Sequence, residues 1–288
     1  MKRLITILLL VVLVIGGLLW WQKRQNAPQA PTQATQVVPP TPDVAQTPPT
    51  PPPAVSLTAP IPEQPAIKFP IEPVAEQGTT PTVTAGSNLG ESVTALAGKD
   101  KTLSYLHLDG LANRFVVTVD NLARPHAAPR LWPVNPTPDR FVVDADGTSK
   151  VIGAANAARY KPFVTFAQSI DAKRAVEVYA HYYPDFQAAY EEIGYPGQYF
   201  NDRFVAVIDD LLATPEVEEP IKVELTEIKG TDMNAQRPWL RYQYVDSRLQ
   251  GLSAGQKMML RMGAENRRVV RAKLQEIRQE IARGAPGQ

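Results

Sequence analysis

The sequence predicts a mostly α fold class (α+β with small β ribbons), reached through an N-terminal transmembrane helix and a disordered proline-rich linker. Three observations lead there. An apolar run opens the chain, 16 of its 28 prolines crowd residues 22–84, and the residues beyond carry apolar side chains at helical spacing. The expected division is 1–24 for the anchor, 25–84 for the linker and 85–288 for a mostly helical domain. The last segment, about 200 residues, is long enough to bury a proper core.

The anchor rests on Leu4 to Trp21, 18 residues interrupted only by Thr6, Gly16 and Gly17. As a helix they span about 27 Å, near the thickness of a bilayer's hydrocarbon core. Leu4, Leu10 and Val14 would face lipid, with Trp20 and Trp21 at interface depth. A cleaved signal peptide wants a shorter apolar core and small residues at the cut. Two tryptophans and two cations, Lys23 and Arg24, stand there instead, so an uncleaved anchor is expected. Lys2 and Arg3 balance those cations, and the positive-inside rule nearly ties. The free amino group tips the N-terminus towards the cytoplasm. The expected location is therefore the bacterial inner membrane, single pass, with the C-terminal domain in the periplasm.

The linker holds runs such as Pro48-Pro49-Thr50-Pro51-Pro52-Pro53 and a single aromatic, Phe69. Such a composition buries too little apolar surface to offset its ordering entropy. Its prolines favour polyproline II, a semi-rigid spacer reaching at most about 190 Å and averaging about 45 Å as a flexible coil. A proline-motif ligand for a small adaptor domain is the alternative.

Helical periodicity organises the rest. Leu111, Phe115, Val116, Val119 and Leu122 form one stripe between Gly110 and Arg124. Asp171 caps a helix carrying Val176, Val178 and Tyr179, which Pro184 breaks or kinks before Gly194 ends the continuation. Asn201 is the expected N-cap of a helix over residues 202–213, with Phe204, Ile208 and Leu211 inward. Ser253 and Gln256 read as a capping box, and a final helix runs over residues 264–283. Arg140–Val143 and Lys150–Gly153 flank Asp144-Ala145-Asp146-Gly147 as a hairpin, and Ile221–Ile228 with Leu240–Tyr244 form a second ribbon. Phe115, Val119, Phe163, Phe204, Ile208, Leu211, Leu260, Leu274 and Ile277 are the expected core.

Chemistry is sparse. The 30 basic and 29 acidic residues give a net charge of +1, so no bulk charge calls for nucleic acid. The absence of cysteine removes disulfides, thiolate metal sites and thiol nucleophiles, without revealing the compartment. Gly251-Leu252-Ser253-Ala254-Gly255 matches the G-x-S-x-G pattern of serine hydrolases. That pattern needs a histidine downstream, and the last one is His181, so the match reads as coincidence. Asp144 to Gly147 departs from a calcium loop, with glycine fourth and Ala155 at the twelfth position. His107, His126 and His181 have no second histidine at ligand spacing, and neither a metal nor a cofactor is expected. Glu191 and Glu192, adjacent on a helix, point about 100° apart and do not converge for sugar cleavage.

The last helix carries the candidate site. Arg267, Arg271 and Arg278 fall in one stripe beside its apolar face, and residues 254–283 hold eight cations against three anions. Either these arginines lie along the core edge and pair with acids such as Asp209, Asp210 or Glu216 to Glu219, or they form a docking stripe for an acidic partner. Six tyrosines between Tyr179 and Tyr199 suit a core edge, and also interfaces or carbohydrate platforms.

Several blocks together resemble the bacterial domain-of-unknown-function family 3014: Arg114-Phe115 to Val119-Asp120-Asn121-Leu122-Ala123, Ala158-Arg159-Tyr160, Asn201-Asp202-Arg203 to Ile208-Asp209, Ala213 to Val217, and Leu252 to Lys257 with Arg261-Met262-Gly263. The resemblance implies a membrane segment, a low-complexity spacer and this domain. It supplies no catalytic residue and no ligand.

The expected function is a non-enzymatic binding or scaffolding role in the cell envelope. The partners would be the lipid bilayer and another envelope protein or anionic envelope polymer. The alternative is a tethered cell-wall hydrolase working through carboxylates such as Glu191 or Asp202.

Overall fold

The structure is a computed structural model that describes residues 66–71, 83–84, 86–226 and 237–283. All of these belong to one unit, residues 60–288. Leu4, Leu10, Val14, Trp20 and Trp21 of the expected anchor lie outside the described residues, as does most of the expected linker. Among the described residues no helix is long and apolar enough to cross a membrane.

Some of the helices begin where a side chain satisfies a free N–H group. Asn88 and Glu91 form a reciprocal capping box for α1 (Leu89–Ala97), which Gly98 separates from α2 (Lys99–Tyr105). Gly110, at φ 62°, opens α3 (Leu111–Leu122). α4 (Ala155–Ser169) has Pro162 inside it. The carboxylate of Asp171 accepts from the N–H of Arg174 to start α5 (Ala172–His181). Pro184 sits in the first turn of α6 (Tyr183–Glu192), where its missing N–H costs nothing, so the expected break falls one turn earlier.

One cap differs from expectation. α7 (Phe200–Leu212) starts after Tyr199, and Asn201 lies inside its first turn, fully buried. The Asn201 amide donates to the carbonyls of Phe69 and Ile281 and accepts from the Tyr179 hydroxyl, so tertiary partners replace the cap.

The two expected ribbons merge into one antiparallel sheet of order β1–β2–β3–β4: Val143–Asp146, Ser149–Ile152, Lys222–Leu225 and Tyr242–Tyr244. Asp146 faces Ser149, so the turn is Gly147-Thr148, and Asp144 to Asp146 belong to β1 rather than to the turn. Val223 pairs with both Lys150 and Tyr244, which joins the ribbons. The short α8 (Ser247–Gln250) leads to α9 (Ala254–Arg261) and α10 (Ala264–Ile281).

The long α10 crosses α4, α5 and α7, while α3 packs on α6 and α7. Between them an aromatic core assembles. Phe115 meets Phe186 at 5.4 Å and Phe204 at 5.3 Å edge-on, and Phe200 is fully buried beside Tyr190 at 5.4 Å. A second cluster of Ile221, Val223, Tyr244 and Leu260 seats the sheet on α9. The expected core residues fall in or against these clusters, except Phe163, which packs with Tyr105 and Phe166.

Residues 66–71, inside the range assigned to the linker, lie against the domain. Phe69 and Ile71 pack on the main core.

Candidate ligand-binding cleft

The arginine stripe of α10 turns inward. Arg267 is 1% exposed, with Glu216 and Glu219 at 3.4 and 3.5 Å from its guanidinium. Arg271 donates to the Thr214 carbonyl and meets Glu216 at 3.1 Å, and Arg278 is paired with Asp209. That hydrogen bond raises the basicity of Arg278. The intramolecular pairing with acids is therefore the arrangement found. For Arg267 the docking expectation is corrected, because a side chain this buried presents nothing to a partner. The hollow beside it, about 800 Å³ and lined by Glu216, Glu218 and Glu219, also holds Lys222 and Arg248. Two of its acids, Glu216 and Glu219, already serve Arg267 and Arg271.

The other singled-out residues take structural roles. The hydroxyl of Ser253 donates to Asp210 at 2.7 Å and accepts from the Gln256 N–H, completing the expected capping box. Asp144 accepts from the N–H of Ala154, the residue before α4, and among the described residues no three acids or histidines gather to hold a metal. His181 lies edge-on to Tyr182 at 4.7 Å. Glu191 accepts from Gln187, while Asp202 accepts from the main-chain N–H groups of Lys68 and Phe69. Tyr179, Tyr182, Tyr183 and Tyr190 are buried, so the tyrosine run is core rather than platform.

A different cleft, of about 440 Å³, opens between the Pro125–Trp132 segment, β4 and α9. Its lining includes His126, Trp132, Arg241, Tyr242, Lys257 and Arg261, and among the described residues none that lines it is acidic. Lys257 and Arg261 stand one turn apart on α9. The Lys257 ammonium donates to the carbonyls of Pro125 and Gln250 at 3.1 and 3.2 Å, leaving one of its three protons for a ligand. Arg261 donates to the Tyr242 carbonyl and lies 5.7 Å from the rings of Phe141 and of Tyr244. Neither cation meets a carboxylate among the described residues. Burial, reinforced by the charge of Arg261, lowers the pKa of Lys257. The indole N–H of Trp132 is buried without a hydrogen-bond partner among the described residues. Two cations without a described carboxylate partner around one hollow suit a carboxylate or phosphate.

Residues 111–278 match the family described as protein of unknown function (DUF3014). The chain belongs to this family. No curated protein matches the chain. No solved structure matches it either. The DUF3014 region begins at the first residue of α3 and ends within α10, so it takes in the sheet, the aromatic core and every residue of the cleft, while α1, α2 and residues 66–71 precede it.

The role of the α9 cations is not legible in the sequence, because the cleft forms only where the Pro125–Trp132 segment and β4 meet α9. One signal was present: no acid stands within seven residues of Lys257 in the sequence.

Proposed function

We propose that this DUF3014 protein is a tethered, non-catalytic binding protein of the cell envelope, whose domain takes an anionic group of an envelope polymer in the cleft between Trp132, Lys257 and Arg261. In this reading residues 1–24 anchor the chain in the inner membrane, residues 25–65 space it away, and the domain, with residues 66–71 and Val83 packed on it, lies in the periplasm. The single observation that carries the ligand class is the Lys257–Arg261 pair, two half-buried cations side by side with no carboxylate partner among the described residues. Keeping such a pair uncompensated costs folding energy that an incoming anion recovers.

Calorimetric titration of the full chain in detergent with polyphosphate and with poly-glutamate tests this. Binding is expected to weaken about tenfold or more in Lys257→Gln, with little change in the control Arg268→Gln, which removes the same charge from an exposed site on α10. Affinity should also fall as pH rises through the lowered pKa of Lys257, because the bound anion favours the protonated amine. Equal losses in both variants, or no binding of either polymer, would refute the cleft.

A further inference from the structure

Residues 66–71 run Ala-Ile-Lys-Phe-Pro-Ile, and four main-chain hydrogen bonds tie them to the domain. The Asp202 carboxylate accepts from two successive N–H groups, that of Lys68 at 3.0 Å and that of Phe69 at 2.8 Å. The Asn201 amide donates to the Phe69 carbonyl at 2.8 Å. The Tyr199 hydroxyl accepts from the Ile71 N–H, also at 2.8 Å. Between these bonds Phe69 and Ile71 pack against the core, while Ile67 and Lys68 point to solvent.

Those three receiving side chains are themselves held. Asn201 is fully buried and fixed from behind by the Tyr179 hydroxyl. Tyr199 rests 5.1 Å from the ring of Tyr183, whose hydroxyl accepts from the Asn201 N–H and donates to Gln187. A rigid row of one double acceptor, one donor and one further acceptor, with apolar sockets between, is how a surface reads an extended peptide irrespective of most of its side chains.

We infer that the face built by Tyr199, Asn201 and Asp202 is a peptide-docking site for an extended aromatic–proline–aliphatic segment, and that residues 66–71 of the same chain are its resident ligand. Four main-chain bonds and two apolar side chains give modest affinity in trans. Only 11 residues, 72–82, separate the segment from Val83, which is buried in the same core, and a link that short holds the segment at about millimolar effective concentration. Docking in cis therefore prevails until a competing peptide of the same type is supplied. This inference does not depend on the anionic-ligand reading, since it uses none of the residues of that cleft.

A fluorescent peptide covering residues 64–73, followed by anisotropy, provides the test on the full chain. The double variant Phe69→Ala/Ile71→Ala vacates the site and should bind the peptide saturably, while the wild-type chain binds about tenfold more weakly because its own segment competes. Adding Asp202→Asn to the vacated chain should weaken binding about fivefold, as charge-assisted bonds become neutral ones. A vacated chain that keeps its circular dichroism spectrum yet binds no better than wild type overturns the proposal, as does binding indifferent to Asp202→Asn. Should the vacated chain not fold, hydrogen exchange on the wild type decides. The amides of Lys68, Phe69 and Ile71 are expected to be protected and to lose protection in Asp202→Asn; free exchange in the wild type sinks the site.

Discussion

The carboxylate of Asp120 on α3 lies 2.9 Å from the guanidinium of Arg203 on α7, and Asp120 is only 3% exposed. Arg203 also donates to the Asp120 main-chain carbonyl, Arg124 meets the same carboxylate at 2.6 Å, and the Tyr195 hydroxyl is 3.4 Å away. One buried acid thus ties α3, α7 and the loop after α6. That hydrogen bond, with the attraction behind it, raises the basicity of Arg124. Asp120→Ala leaves two guanidiniums facing each other without a counter-charge, and urea denaturation should show a loss of about 3 kcal/mol. Arg124→Ala, at the exposed side of the group, should lose about 1 kcal/mol or less.

Arg267 offers a sharper contrast. Its Nε has no hydrogen-bond partner among the described residues, and its glutamates are themselves exposed. Replacing such a charge with an apolar side chain of similar length is often neutral or better, so Arg267→Met should keep the melting temperature within about 4 °C of wild type, or raise it. The Glu216→Gln/Glu219→Gln double variant leaves the cation buried and alone, and should lose about 2–3 kcal/mol in urea denaturation. Equal losses in both would mean that Arg267 contributes mainly by packing.

Gly255 belongs to the G-x-S-x-G match, yet its requirement is spatial. A Cβ there would sit 2.4 Å from Leu211 Cδ2 and 3.2 Å from the Leu122 carbonyl oxygen. Alanine would otherwise favour the helix by about 1 kcal/mol. The clash should outweigh this, with Gly255→Ala less stable by about 1–2 kcal/mol and its melting temperature visibly lower. Leu211→Ala in the same chain should recover part of the loss, which a thermal scan of both variants would reveal.

Buried tyrosines set an alkaline limit. Burial pushes Tyr190 and Tyr244 up to about 12, and raises Tyr179 and Tyr183 as well. A folded pKa above the unfolded value of about 10 contributes stability that is complete below pH 10 and lost as pH climbs from about 10 to 12. The last part of the tyrosinate absorbance and the circular dichroism should therefore change together in one cooperative step above about pH 10. Complete ionisation of all ten tyrosines on a chain that stays folded would contradict the burial.

Much of the domain was legible in the sequence wherever a signal acts within a few residues. The Asp171 cap, the Ser253–Gln256 box, the Pro184 break and the stripe from Leu111 to Leu122 each depend on neighbours one turn away. α4 was missed: Ala155–Ser169 spreads its apolar residues around the helix and carries Pro162, so no one-sided stripe announces it. The cleft was not legible, since it needs the Pro125–Trp132 segment and β4 to meet α9.

Local order, then, is written in side chains that reach their own backbone, and the family blocks from Arg114 to Gly263 could be read the same way. The destinations of the charges were settled by folding. Arg267 is sealed because Glu216 and Glu219, some fifty residues earlier, close over it, and Asn201 abandons its cap for Phe69, 132 residues away. The physical reason is that desolvation depends on everything packed around a group, whereas a cap or a turn depends on the chain beside it.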